Sequence, residues 1–254
     1  MDLNKTFSAV QYASRKLLAL NDEKINQILL AVADAAEERT DFILAENRKD
    51  LNRMDTSNPK YDRLMLTPER LKGIATDIRK VAKLPSPVGR VQKQGVMPNG
   101  LKIKRVSVPF GVIGIIYEAR PNVSFDVFSL CLKSGNAVLL KGGREALRTN
   151  ELLTSMILRA SRKCSLPDGW CSLLHTREDV QEMLKLHELI DLIIPRGSNA
   201  FVRYIMQNSQ IPVLGHADGL CHVYVDNPCD LETAVRVTVD SKTQNLSVCN
   251  AAET

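Results

Sequence analysis

Downstream of Pro109, short unbroken runs of Val, Ile and Leu alternate with helical segments, and no other feature restricts the fold as tightly. The runs are Gly111 to Tyr117, Ala137 to Leu140, Cys171 to Leu174, Ile190 to Ile194 and Cys221 to Val225. Helical segments lie between and after them: Val123 to Lys133, Glu145 to Arg162, Glu178 to Leu186, Asn199 to Asn208 and Leu231 to Ser241. A strand with one wetted face alternates apolar and polar residues. These runs do not alternate, so both faces must be covered, which helices joining parallel strands achieve. The expected fold class is α/β, an open parallel sheet with crossover helices. At 254 residues and 44% hydrophobic content, the chain can bury such a core.

The first 84 residues read as helices. Ile25, Ile28, Leu29, Val32 and Ala36 fall on one face at helical spacing, and Thr67-Pro68-Glu69 carries the capping hydroxyl and first-turn proline of a helix start. A hairpin follows, Val91 to Met97 and Leu101 to Val108, about Asn99-Gly100, a strong signal for a two-residue turn. The chain therefore divides into residues 1–108, helices and hairpin packed on the unit that follows; 109–241, a Rossmann-like unit; and the short remainder 242–254.

Charge and cysteine usage exclude several classes. The net charge of +5 is spread among acids instead of gathered into a basic stripe, which argues against nucleic acid as a partner. Six cysteines at irregular spacing, with no C-x-x-C, do not form a disulfide framework in a chain this long, so a reducing compartment is expected. The N-terminus lacks the apolar core of a secretory signal, and no window reaches the ~18 apolar residues of a membrane span. A cytoplasmic protein without membrane partners is the expectation.

In an open parallel sheet, ligands bind at the carboxyl ends of the strands. Three strands here end in turn-rich segments that feed helices: Glu118 to Asn122, Lys141-Gly142-Gly143-Arg144, and Pro195-Arg196-Gly197-Ser198. Glycines let a ligand approach the backbone, and a helix N-terminus favours an anion. A site preferring NAD places an acid beside the ribose 2′-hydroxyl; Lys141 with Arg144 nearby instead suits a 2′-phosphate, and so NADPH. The competing reading is a turn with solvated charges. Ser198 could cap a helix, donate to a pyrophosphate, or both. Because G-x-G-x-x-G is absent, this is not an ordinary dinucleotide fold.

Asn122 opens a helix, where its carboxamide could cap the backbone or donate to an oxyanion. Cys249 sits among small residues after a polar stretch. A free thiol titrates near ~8.5, so as a nucleophile it would need help from a helix N-terminus or a cation; otherwise it is a small buried hydrophobe. His216, Cys221 and His222 invite a metal, but residues 221 and 222 of a strand face opposite ways and no second cluster completes a site. No metal is expected.

These segments in their order resemble the γ-glutamyl phosphate reductases (glutamate-5-semialdehyde dehydrogenases), a branch of the aldehyde dehydrogenase superfamily. The residues that carry the resemblance are Pro109 through Asn122 (PFGVIGIIYEARPN), Cys131 through Gly143 (CLKSGNAVLLKGG), Ile190 through Gly197, Cys221 through Asp226 and Ser247 through Asn250. The resemblance implies that Cys249 is the nucleophile, that Asn122 and the Cys249 N–H form an oxyanion hole, that Lys141 and Gly142 meet the adenosine end of NADPH, and that Gly197 and Ser198 meet its phosphates. The implied reaction, in proline biosynthesis, is reduction of L-glutamyl 5-phosphate to the semialdehyde through a cysteine thioester. His216 to Cys221 offers no glutamate to activate a hydrolytic water, which suits a thioester that must survive until it is reduced.

The resemblance also implies that members continue well past this cysteine and form homo-oligomers. Residues 242–254 then read as the start of a truncated catalytic domain, and the chain alone would have little activity. The alternative is a non-catalytic NADP-binding or assembly module derived from such an enzyme. The run Gln244-Asn245-Leu246 departs from the Arg-Pro-containing stretch usual before the cysteine.

Overall fold

The computed structural model describes residues 3–58, 60–215, 219–244 and 250–254. Five helices come first: α1 (Leu3–Leu17), α2 (Asp22–Glu38), α3 (Thr40–Leu51), α4 (Tyr61–Leu64) and α5 (Pro68–Lys83). Two of their starts are chemically marked. Asn21 accepts the Lys24 N–H at the head of α2 and Thr67 that of Arg70 at the head of α5, where Pro68 has no N–H to satisfy. The apolar face of α2 predicted from spacing is buried in full.

The hairpin pairs β1 (Val91–Val96) with β2 (Lys102–Val106). Its turn is one residue longer than the two-residue form expected: Met97 N–H meets Leu101 O at 2.9 Å, and Pro98, Asn99 and Gly100 span the loop. Gly100 takes the left-handed φ of +84° that closes such a loop. Every residue of both strands is exposed, so the hairpin stands clear of the body on which it was expected to pack.

The α/β unit follows as β3 (Val112–Tyr117), α6 (Asn122–Lys133), β4 (Ala137–Lys141), a single 3-10 turn (Arg144–Ala146), α7 (Leu147–Lys163), β5 (Cys171–Leu173), α8 (Arg177–Met183), β6 (Leu192–Arg196), α9 (Asn199–Asn208) and α10 (Leu231–Thr243). The four strands form a parallel sheet in the order β5-β4-β3-β6. The expected fold class is the observed one. β3 and β4 are buried throughout, as their unbroken apolar runs require. The chain steps outward from β3 to β4 to β5, then crosses back to add β6 on the other side of β3. In open α/β sheets such a reversal is where a ligand crevice forms, here between the carboxyl ends of β3 and β6.

One expected strand is absent. Cys221 to Val225 makes only a single bridge, Cys221 with Ala252, and the Val223 N–H donates to Thr254 O at 2.8 Å. The physical reason lies at β6, whose outer edge is already taken: Ile193 N–H donates to Pro212 O at 2.9 Å and Leu214 N–H to Ile193 O at 2.8 Å. β6 also begins two residues later than its apolar run suggested and continues through Pro195 to Arg196.

The N-terminal helices and the sheet share one buried cluster, from Phe7 and Ile28 to Val138 and Ile193. Polar locks fix the two parts together. Buried Lys133, at the end of α6, donates to Asp22 Oδ1 at 2.6 Å, Asn26 Oδ1 at 2.7 Å and Ala82 O at 3.3 Å. No helix among the described residues is long and apolar enough to cross a membrane.

Candidate functional site

Register aligns the strand ends. Ile116 of β3 pairs with Lys141 on one side and Pro195 on the other, and Tyr117 pairs with Arg196. Neighbouring strands stand ~4.8 Å apart, so the turns after β4, β3 and β6 lie side by side on one edge. Lys141, Gly142, Gly143 and Arg144 therefore share that edge with Asn122 and with Pro195, Arg196, Gly197 and Ser198. Lys141 is the last residue of β4, and Pro195 and Arg196 are the last of β6, rather than parts of the turns.

The β4 turn is tightly floored. Lys141 is buried and its Nζ donates to Gly142 O at 2.7 Å. Burial pushes this lysine's pKa down, against an upward pull from Glu145. Beneath the turn, the Tyr117 hydroxyl lies 2.6 Å from the Ser124 hydroxyl, which reaches Asn150 Oδ1 at 3.3 Å. Burial raises the Tyr117 pKa above its ordinary value, so this hydroxyl acts as a neutral structural link. Arg144 is exposed at the start of the 3-10 turn.

The β6 turn is as close-fitting. A Cβ on Gly197 would stand 2.8 Å from Phe201 Cδ1 and 3.4 Å from Glu118 Cδ, so the two sides of the crevice meet here. Ser198 caps α9, its hydroxyl accepting the Phe201 N–H at 3.4 Å. That leaves the hydroxyl hydrogen available to an acceptor.

Asn122 is the first residue of α6, but Pro121 holds the cap position and Asn122 makes no capping bond. Its Nδ2 instead donates to Asp126 Oδ2 at 3.3 Å. Burial, with the charge of Asp77, pushes the Asp126 carboxyl above the usual range, while the Asn122 bond opposes this. Cys249 and His216 lie outside the described residues.

Sequence reading missed two carboxylates on this edge. Glu145 Oε1 accepts the Ala119 N–H at 2.6 Å. Glu118, the first residue after β3, has its carboxylate 3.5 Å from Lys60 Nζ. An acid one residue beyond Arg144 was a visible signal for the first, but only the fold shows which loop it meets.

The aldehyde dehydrogenase family model matches residues 1–253. The chain belongs to the aldehyde dehydrogenase family. Within that family it is similar to the γ-glutamyl phosphate reductase of Bacteroides fragilis, 54% identical over 254 residues, which are 100% of this chain and 61% of the relative. Its structure is similar to the crystal structure of γ-glutamyl phosphate reductase from Thermotoga maritima, with a TM-score of 0.92 and 36% identity over 100% of this chain and 62% of that one. The enzyme of the same name from Saccharomyces cerevisiae gives a TM-score of 0.79 and 33% identity, covering 96% of this chain and 63% of that one. The chain thus spans about three-fifths of the length of these family members.

Proposed function

We propose that this chain is the cofactor-binding part of an NADPH-dependent reductase that converts L-glutamyl 5-phosphate to L-glutamate 5-semialdehyde, with Cys249 as nucleophile. The observation that carries the reading is the level ending of β4, β3 and β6, which gathers Lys141, Gly142, Asn122 and Gly197 on one edge in a chain 54% identical to a γ-glutamyl phosphate reductase. Residues 1–108 form its packed helical support and an exposed hairpin, 109–241 its cofactor domain, and 242–254 the start of a catalytic domain.

The residues present fit a phosphorylated nicotinamide cofactor. Gly142 and Gly197 are turns where a Cβ would collide with Asn150 and Phe201, so the backbone itself forms the ligand surface. Lys141 and Arg144 supply positive charge beside the β4 turn for a 2′-phosphate. Gly197 and Ser198 lead into α9, whose N-terminal dipole suits a pyrophosphate.

In the reaction, the Cys249 thiolate attacks the acyl carbon. The S–C bond forms through a tetrahedral oxyanion, the C–O bond to phosphate breaks, and phosphate departs with its electron pair. Asn122 Nδ2 donates to that oxyanion. Phosphate is a good leaving group and needs no strong general acid. NADPH, when bound, would supply the hydride to the thioester carbon; the C–S bond then breaks, which releases the semialdehyde and returns the Cys249 thiolate.

Thermal melts test the cofactor step directly. Millimolar NADPH is expected to raise the melting temperature of the chain, and NADH to raise it less. An unchanged melting temperature with NADPH overturns the reading.

A further inference from the structure

The loop between β3 and α6, residues 118–121, leads directly into Asn122, the first residue of α6. Ala119 in this loop holds a φ of +31°, in the left-handed region that side chains other than glycine and asparagine rarely enter. Such a conformation persists only where the surroundings impose it. Ala119 is 3% exposed, and its N–H donates to Glu145 Oε1 at 2.6 Å. Glu145 belongs to the turn after the neighbouring strand, 26 residues away in sequence. Its carboxylate also lies directly over Gly143, leaving no room there for a Cβ.

We propose that Glu145 is a positioning residue of this site: by accepting the Ala119 N–H, it sets the loop that leads into Asn122 against the Gly142-Gly143 turn. One carboxylate then couples the oxyanion donor to the cofactor cradle. The role in catalysis rests on the function proposed above, whereas the tether itself does not.

A simpler role competes. Glu145 stands just before α7, where any negative charge favours the helix dipole. The two roles separate by substitution. Gln keeps an oxygen that can accept the Ala119 N–H but discards the charge; Ala discards both.

The test compares the wild-type chain with Glu145→Gln and Glu145→Ala, reading amide hydrogen exchange in the segment 117–124 together with NADPH affinity. Glu145→Ala is expected to speed exchange at Ala119 and to weaken NADPH about fivefold, the weight of one ordinary hydrogen bond. Glu145→Gln should restore both to near wild type. Exchange at Ala119 unchanged in the Ala variant, or a Gln variant as impaired as the Ala variant, overturns the proposal. Far-ultraviolet circular dichroism of each variant checks the fold. If the Ala variant fails to fold, the Gln variant against Glu145→Leu, which fills the space without an acceptor, decides the point. Wild-type chain that binds no NADPH would sink the cofactor reading while the exchange result still decides the tether.

Discussion

The side-chain amide of Asn150 packs directly beneath Gly142, so that a Cβ on the glycine would stand 2.9 Å from Asn150 Cγ and 3.3 Å from Tyr117 Cε2. Asn150 is itself held by Ser124 within the buried group under the strand ends. Gly142→Ala must therefore push this floor down or lift the turn toward the ligand. Overpacking of this kind costs about 1–3 kcal/mol. The expected result is a lower melting temperature and NADPH affinity reduced at least tenfold; a titration matching wild type would show that the turn does not meet the cofactor.

Lys141 gives a pH-dependent prediction. Its burial lowers its pKa below that of an ordinary lysine, near ~10.4. As pH rises through that depressed value, the folded chain loses the charge before the unfolded chain does. Any preference for NADPH over NADH should fall in the same window, and Lys141→Met should reduce the preference at neutral pH to what Arg144 alone supports. Stability moves the other way. The unfolded chain binds more protons there, so the destabilisation due to Lys141 lessens as pH rises. Paired titrations with the two cofactors across neutral to alkaline pH check the first point, and urea melts the second.

Asp126 shows the opposite sign. Its folded carboxyl is raised by burial above the unfolded value, so the folded chain binds more protons between the two, and stability falls as pH rises through that window. Asp126→Asn removes this penalty. The variant should melt higher than wild type at pH 7, with the difference vanishing below about pH 4. In a catalytically complete enzyme it should also slow turnover, because Asn122 would lose the charged acceptor that orients it.

Elements whose residues report on their own burial were legible in sequence. The unbroken run in β3 could only be a strand covered on both faces, and Asn199 to Asn208 emerged as a helix with the boundaries expected. Elements defined by what else competes for an edge were not. Cys221 to Val225 has strand composition, yet Pro212 to Leu214 occupies the edge it would need. The site divides in the same way. Gly142 and Gly197 were visible as strand-end turns, with Lys141 closing the strand before the first, whereas Glu145 and Asn150 act through contacts with other segments, and no local pattern encodes those.

Asp50 is the strongest case of such a long-range role. It is buried at the end of α3, and its Oδ2 accepts the Thr149 N–H at 2.9 Å and the Thr149 hydroxyl at 2.7 Å, while Oδ1 accepts the Arg148 N–H at 3.3 Å. These are the second and third residues of α7, which has no side-chain cap from its own N-cap residue. Asp50 thus supplies from another helix what a local serine or aspartate normally gives. Asp50→Ala strands the buried Thr149 N–H and removes the acceptor of the half-buried Arg148 N–H, and should lower stability by about 2 kcal/mol. Asp50→Asn keeps one accepting oxygen and should lose less. Urea unfolding is the measurement: the midpoint should fall with an unchanged slope, and an Ala variant as stable as wild type would mean that water reaches these donors.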